Sequence, residues 1–211
     1  MTPLVVLLAL GGAAWGLAAD RIAVRWPAHE PGEGGRRPGW RTAVTVAAAA
    51  IAFGLLAARA PEDATFAVVG AWFVVLVLLF AIDLDQRLLP DALTLPSIAV
   101  AAVLLATGLN PLVRGEEVAA VAAAILFPAI LFALSIPFGS GALGLGDVKL
   151  MVAAGLVAGL SRTLTGLLAG AVLAGVVLLV LVALRRITLR SYVPFGPFLI
   201  AGIAWGILAS L

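Results

Sequence analysis

Cysteine is absent from the 211-residue chain, and histidine occurs once, at His29. Without thiols there can be no disulfide, no thiolate nucleophile and no cysteine zinc site. A single imidazole excludes multi-histidine metal centres and argues against a Ser-His-Asp triad. Charge is almost as scarce. Thirteen Lys and Arg and eleven Asp and Glu make up 11% of the residues, against about 25% in an ordinary soluble domain. A water-facing surface would need about twice as many. What the chain has instead is apolar mass: 64% of residues are hydrophobic and the mean hydropathy is +1.20. Most of this protein therefore faces lipid.

Length then limits the architecture. One spanning helix takes roughly 20 residues, so eight would use about 160 and leave only short loops. Apolar runs between charges and Gly or Pro breaks predict helices over residues 3–24, 42–58, 64–82, 92–109, 118–137, 147–160, 164–184 and 194–211. The expected fold is an all-α, polytopic membrane helix bundle of about eight transmembrane helices. The first run has no basic residue ahead of it, unlike a cleavable signal peptide. Residues 25–41, rich in Gly, Pro and charge, read as a surface loop, and His29 as a solvated residue within it.

The isoelectric point near 9.9 does not point to nucleic acid, because the net charge is only +2 and the basic residues are scattered. They read as topology signals. With the N-terminus outside, Arg21, Arg25, Arg36, Arg37, Arg41, Arg87, Lys149, Arg185, Arg186 and Arg190 fall on the inner side. Only Arg59, Arg114 and Arg162 fall outside. Four inner-side acids then stand out: Asp83, Asp85, Asp91 and Asp147. Carboxylates bordering hydrocarbon are costly and usually serve a function.

Asp147 follows an unusual segment. Residues 137–146, Pro-Phe-Gly-Ser-Gly-Ala-Leu-Gly-Leu-Gly, are apolar yet hold four glycines behind a proline. Such a stretch makes a poor helix and cannot lie as irregular backbone against lipid, so it should line a cavity. From Asp147 to Arg162 is about 22 Å of helix, short of a hydrocarbon core of roughly 30 Å. With Arg162 at one interface, Asp147 is recessed from the other. The G-x-G-x-x-G match at 139–144 lacks the strand before it and the acid after it that a dinucleotide site needs.

Two carboxylates sharing one site cannot both ionise cheaply, so one holds a proton while the other stays charged. That asymmetry suits peptide hydrolysis by activated water, with neither metal nor covalent intermediate. At these residues the chain resembles the prepilin leader peptidases, membrane aspartyl proteases of the GxGD class. Asp83-Leu-Asp-Gln-Arg-Leu-Leu-Pro90-Asp91 is similar to one motif of that family, and Gly144-Leu-Gly-Asp147-Val-Lys149 to its G-x-G-D-x-K motif. The two acids stand 64 positions apart, as in the family, and Tyr192-Val-Pro-Phe-Gly-Pro-Phe198 resembles a further segment. The likeness runs from about Ala64 to Leu211.

The resemblance implies a prokaryotic cytoplasmic-membrane endopeptidase, with Asp83 and Asp147 as the catalytic pair facing the cytoplasm. Its substrates would be type IV prepilins or pseudopilins, which lose a short basic leader just before their hydrophobic N-terminal stretch. The partners expected are that substrate and the bilayer, with no nucleic acid. Residues 1–60 would form an N-terminal two-helix segment with a short cytoplasmic loop, and residues 61–211 the catalytic membrane domain. Many members carry a cysteine-paired cytoplasmic domain linked to N-methylation; here loop 26–40 is short and has no cysteine. No cofactor is therefore expected, S-adenosylmethionine included. Gly144, Gly146, Lys149, Pro90, Asp91 and Asp85 are candidate supporting or substrate-site residues. Asp85 lies further into the loop than Asp83, Asp91 suits an N-cap, and Lys149 is an interface anchor or a partner for Asp85. A proton-coupled transporter, or a GxGD protease for another membrane substrate, is the alternative.

Overall fold

The computed structural model describes residues 3–26, 37–60, 62–138, 144–186 and 195–211, and every regular element among them is helical. In chain order these are α1 (Pro3–Val24), α2 (Trp40–Arg59), α3 (Asp63–Gln86), α4 (Asp91–Ala106), α5 (Glu117–Ser135), α6 (Leu145–Ala183) and α7 (Gly196–Leu208). Single 3-10 turns at Pro111–Val113 and Ile136–Phe138 flank α5. The all-α membrane bundle expected from composition is what forms. Five helices, α1, α2, α3, α5 and α6, are long and apolar enough to cross a bilayer, while α4 and α7 are apolar but shorter. Large apolar side chains such as Leu10, Ile51, Val100, Ile125, Leu168 and Leu179 point outward, as lipid-facing residues do.

The two helices expected over 147–160 and 164–184 are the arms of α6. They are divided at Gly159, whose φ of 76° and ψ of −175° only glycine adopts readily. Thr163 Oγ1 donates to Ala154 O over 3.2 Å, whereas nine residues of straight helix would span about 13 Å. The chain therefore bends sharply here. The break releases carbonyls at the end of the first arm, and buried Asn110 collects two: its Nδ2 donates to Val157 O at 2.8 Å and Leu156 O at 3.4 Å. Arg162 folds back to donate to Leu112 O and to Ser210 Oγ.

Two other boundaries move for local reasons. The third helix runs a turn past Ile82, because a charge does not end a helix; it stops at Arg87, left-handed with φ 57°, three residues before Pro90. The fourth ends at Ala106 rather than 109, where Gly108 at φ 68° supplies the left-handed stop. Of the glycine-rich segment, 139–143 lies outside the described residues, as do His29 and 192–194.

Close packing depends on small residues. Gly12 and Gly16 of α1 meet α2 at Ala49 O, Phe53 and Thr45 O, and Gly155 of α6 meets Ala123 and Ala124 of α5. Gly166 and Gly170 of the second α6 arm meet Gly202 and Gly206 of α7 across another such seam. Helix α3 sits in the middle, burying Val69, Trp72, Phe73, Leu76, Leu79 and Ile82.

Candidate active site

Three chain segments far apart in sequence meet at one end of the bundle: the last turn of α3, the first turn of α6 and the start of α7. Asp83 comes from α3 and is 4% exposed; Asp147 comes from α6 and is half-buried. Arg87 N donates to Asp83 O at 2.9 Å, closing the turn that carries Asp83, and Asp147 N donates to Gly144 O at 3.0 Å, opening the other. Between the carboxylates stands Gly196, the first residue of α7. A β-carbon there would press on Asp83 Oδ2. It would lie 2.9 Å from Asp83 Cγ and 3.2 Å from Asp147 Oδ1, so the carboxyl groups lie within about 6 Å of each other, where like charges interact strongly.

Gly146 has a different task. A β-carbon on it would sit 2.7 Å from Leu89 Cβ and 2.9 Å from Leu89 O, so only glycine lets α6 close against the α3–α4 connection. Gly144 lies beside Asp147, 3.4 Å from its Oδ2 to an added β-carbon. Together these residues enclose a cavity of ≈ 200 Å³ lined by Asp83, Arg87, Leu88, Leu89, Gly144, Leu145, Gly146, Asp147, Phe195 and Gly196. Asp83 Oδ2 is buried and has no hydrogen-bond partner among the described residues. A carboxylate left without such a bond is expensive unless a ligand, water or a neighbouring acid shares its proton.

The remaining candidates are placed differently from their sequence reading. Asp85 is in the helix, not further along a loop; its side chain is 4% exposed and accepts from Arg41 Nη1 at 2.8 Å. It stands two residues from Asp83, about 200° around the helix, so it faces α2 rather than the cavity. Lys149 pairs with Asp91 Oδ1 at 2.6 Å and not with Asp85. Asp91 is the first residue of α4, with no side-chain cap bond. Pro90 holds the N-cap position instead, and its carbonyl accepts from Leu93 N and Thr94 N. Asp91 therefore works as an ion-pair partner across α4 and α6.

Arg87, Leu89, Phe195 and Gly196 were not foreseen as site residues. A signal existed for Gly196: Gly-Pro before an apolar run marks a helix start, and Pro197 occupies the first turn of α7. No pattern marked Arg87, which had read as a topology charge. Among the described residues no group of three or more His, Cys, Asp or Glu side chains gathers in one place.

Comparison with known proteins converges on the same stretch of chain. Residues 69–180, which hold both aspartates, match the type IV leader peptidase family. The chain is 32% identical over 159 residues to a prepilin leader peptidase/N-methyltransferase of Burkholderia pseudomallei (strain K96243), covering 75% of this chain and 51% of that protein. It is 36% identical over 138 residues to the protein of that name from Aeromonas salmonicida, covering 63% and 47%. The Pseudomonas putida counterpart is 30% identical over 135 residues, covering 62% and 47%. The chain thus spans about half the length of the curated relatives it matches. No solved structure matches it. By the extent of the match and the residues it contains, the chain belongs to the type IV leader peptidase family.

Proposed function

We propose that this protein is a membrane aspartyl endopeptidase that removes the basic leader from type IV prepilins or pseudopilins at the cytoplasmic face of the inner membrane. The observation that carries the reading is the convergence of Asp83 and Asp147 on Gly196 at the wall of one cavity. At that separation the ionised member accepts a proton from a water molecule while the water oxygen bonds to the scissile carbonyl carbon. The protonated member donates to the carbonyl oxygen, stabilising the charge that develops there. Collapse of the tetrahedral species breaks the C–N bond: the departing amine takes the proton that the first acid gained from water, and the second acid recovers its own from the hydroxyl that becomes the new carbonyl. Sequential roles of this kind need two acids in unequal protonation states, which a shared, mostly desolvated site supplies.

The distribution of charge supports the cytoplasmic side for the site. Arg41, Arg87 and Lys149 lie at the site's end of the bundle, bound to or bordering the acids there. Arg59 and Arg162 lie at the opposite end, on Leu208 O, Leu112 O and Ser210 Oγ. The excess of basic residues at the site's end favours the cytoplasm. Residues 61–211 would carry the catalysis and residues 1–60 form an accessory helical pair. With no cysteine in the chain, the activity proposed is peptidase alone, without methyl transfer.

Co-expression with candidate prepilins, followed by mass spectrometry of their N-termini, tests this. Asp83→Asn and Asp147→Asn should each lower leader cleavage by at least about a thousandfold while the variants still insert. Continued cleavage by both would rule the mechanism out. Methylated N-termini on processed substrate would refute the assignment as a peptidase alone.

A further inference from the structure

Asp83 has the character of a reactive group and lacks the usual means of holding one. Its Oδ2 is buried without a hydrogen-bond partner among the described residues, so no bond to that oxygen aims it, and the backbone turn that carries it bears more of that task. That turn is tied down from outside α3. Arg41 Nη1, near the start of α2, donates to Asp85 Oδ1 at 2.8 Å and more weakly to Asp85 O at 3.5 Å. Gln86 Nε2 donates to Ala23 O at the end of α1, at 2.8 Å. The start of α2 is itself anchored: Thr42 Oγ1 donates to Asp20 Oδ2 at 2.8 Å, and Asp20, 1% exposed, also pairs with Arg21.

We propose that the Arg41–Asp85 pair, with Gln86, is a clamp through which the α1–α2 pair fixes the last turn of α3 and so aims the Asp83 carboxylate into the cavity. The inference rests on the reading of Asp83 as a catalytic group. Arg41, Asp85 and Gln86 are positioning residues, since they reach the chemistry only through the α3 backbone. Their effect belongs to the chemical step: a carboxylate displaced by an ångström loses rate more than affinity. The clamp also gives the α1–α2 pair, which lies wholly outside the family-matched stretch 69–180, a defined task at the site.

Purified full-length protein in nanodiscs, assayed on a prepilin, tests the clamp by a cycle of substitutions. Asp85→Asn and Arg41→Gln should each lower kcat by about 10- to 100-fold with KM within about twofold. Because the two residues are coupled, the double variant should lose less than the product of the two single losses. Arg41→Lys should stay within about threefold of the parent, since a single nitrogen makes both contacts and an ammonium can replace it. A second readout needs no activity: amide hydrogen exchange across residues 80–88 should quicken about tenfold in Asp85→Asn. Unchanged kcat in Asp85→Asn, additive losses, or unchanged exchange would each overturn the clamp. If the parent protein cleaves no prepilin, the proposed function fails instead, and the exchange measurement still decides whether the clamp exists.

Discussion

Gly196 is the narrowest point of the site, and one methyl group there separates a paired from an unpaired carboxylate. An added β-carbon would crowd Asp83 and lie 3.2 Å from Asp147 Oδ1. Asp83, 4% exposed, has little room to retreat. Gly196→Ala should therefore abolish cleavage, by about a hundredfold or more in kcat, while membrane insertion is normal; a steady-state assay on a prepilin checks it, and full activity would mean the carboxylates are held further apart than described. The cost of acids beside hydrocarbon marks Asp83, Asp85, Asp91 and Asp147 alike in the sequence; only the two motifs of the family resemblance single out Asp83 and Asp147, which the fold brings together. Gly196 was legible only as a helix start within a family-like segment, since a glycine announces flexibility or close approach without naming what approaches. Asp85 was misplaced for a related reason. Sequence gives its distance along the chain from Asp83, but its allegiance depends on the helix continuing one more turn and turning it toward Arg41.

The bend in α6 shows how an element's shape is fixed by residues outside it. A break between two helices near 160 was legible from length, because the 39 mostly apolar residues of α6 make about 58 Å of helix, nearly twice a bilayer core. Its location was not. Arg162 looked like the boundary because it is charged, yet it belongs to the second arm and reaches back to Leu112 O and Ser210 Oγ, while Gly159 makes the turn. Nothing in the pattern marked Asn110 as the residue that satisfies the freed carbonyls of Leu156 and Val157. Asn110→Ala should leave those carbonyls buried without a donor, a cost of about 1–3 kcal/mol. Thermal unfolding in detergent should show a lower Tm. An unchanged Tm would mean that the bend is held by Gly159 and Thr163 without help.

Across the molecule, glycine seams join helices of the same chain: Gly12 and Gly16 face α2, Gly155 faces α5, and Gly166 and Gly170 face α7. Which seam meets which is a tertiary fact, absent from any local pattern; Gly166 and Gly170 of α6 find Gly202 and Gly206 of α7. This pairing bears on the site. Gly202 lies six residues beyond Gly196 on α7, about 9 Å along the axis, so the seam sets how α7 approaches the two aspartates. A β-carbon at Gly202 would sit 2.6 Å from Gly170 N and 2.7 Å from Gly170 Cα. Those are backbone atoms that cannot swing aside. Gly202→Val should force the helices apart, at a cost of about 3 kcal/mol, and reduce cleavage with it as Gly196 shifts. Gly175, on the same arm of α6, has nothing within 4 Å of its β-carbon position and is exposed. Gly175→Val should therefore stay within about 0.5 kcal/mol of the parent and keep its activity. Unfolding and cleavage measured on both variants separate close approach from mere helix content. Equal effects at the two positions would mean that the glycines of the seam matter only for backbone flexibility, and that α7 is positioned by something else.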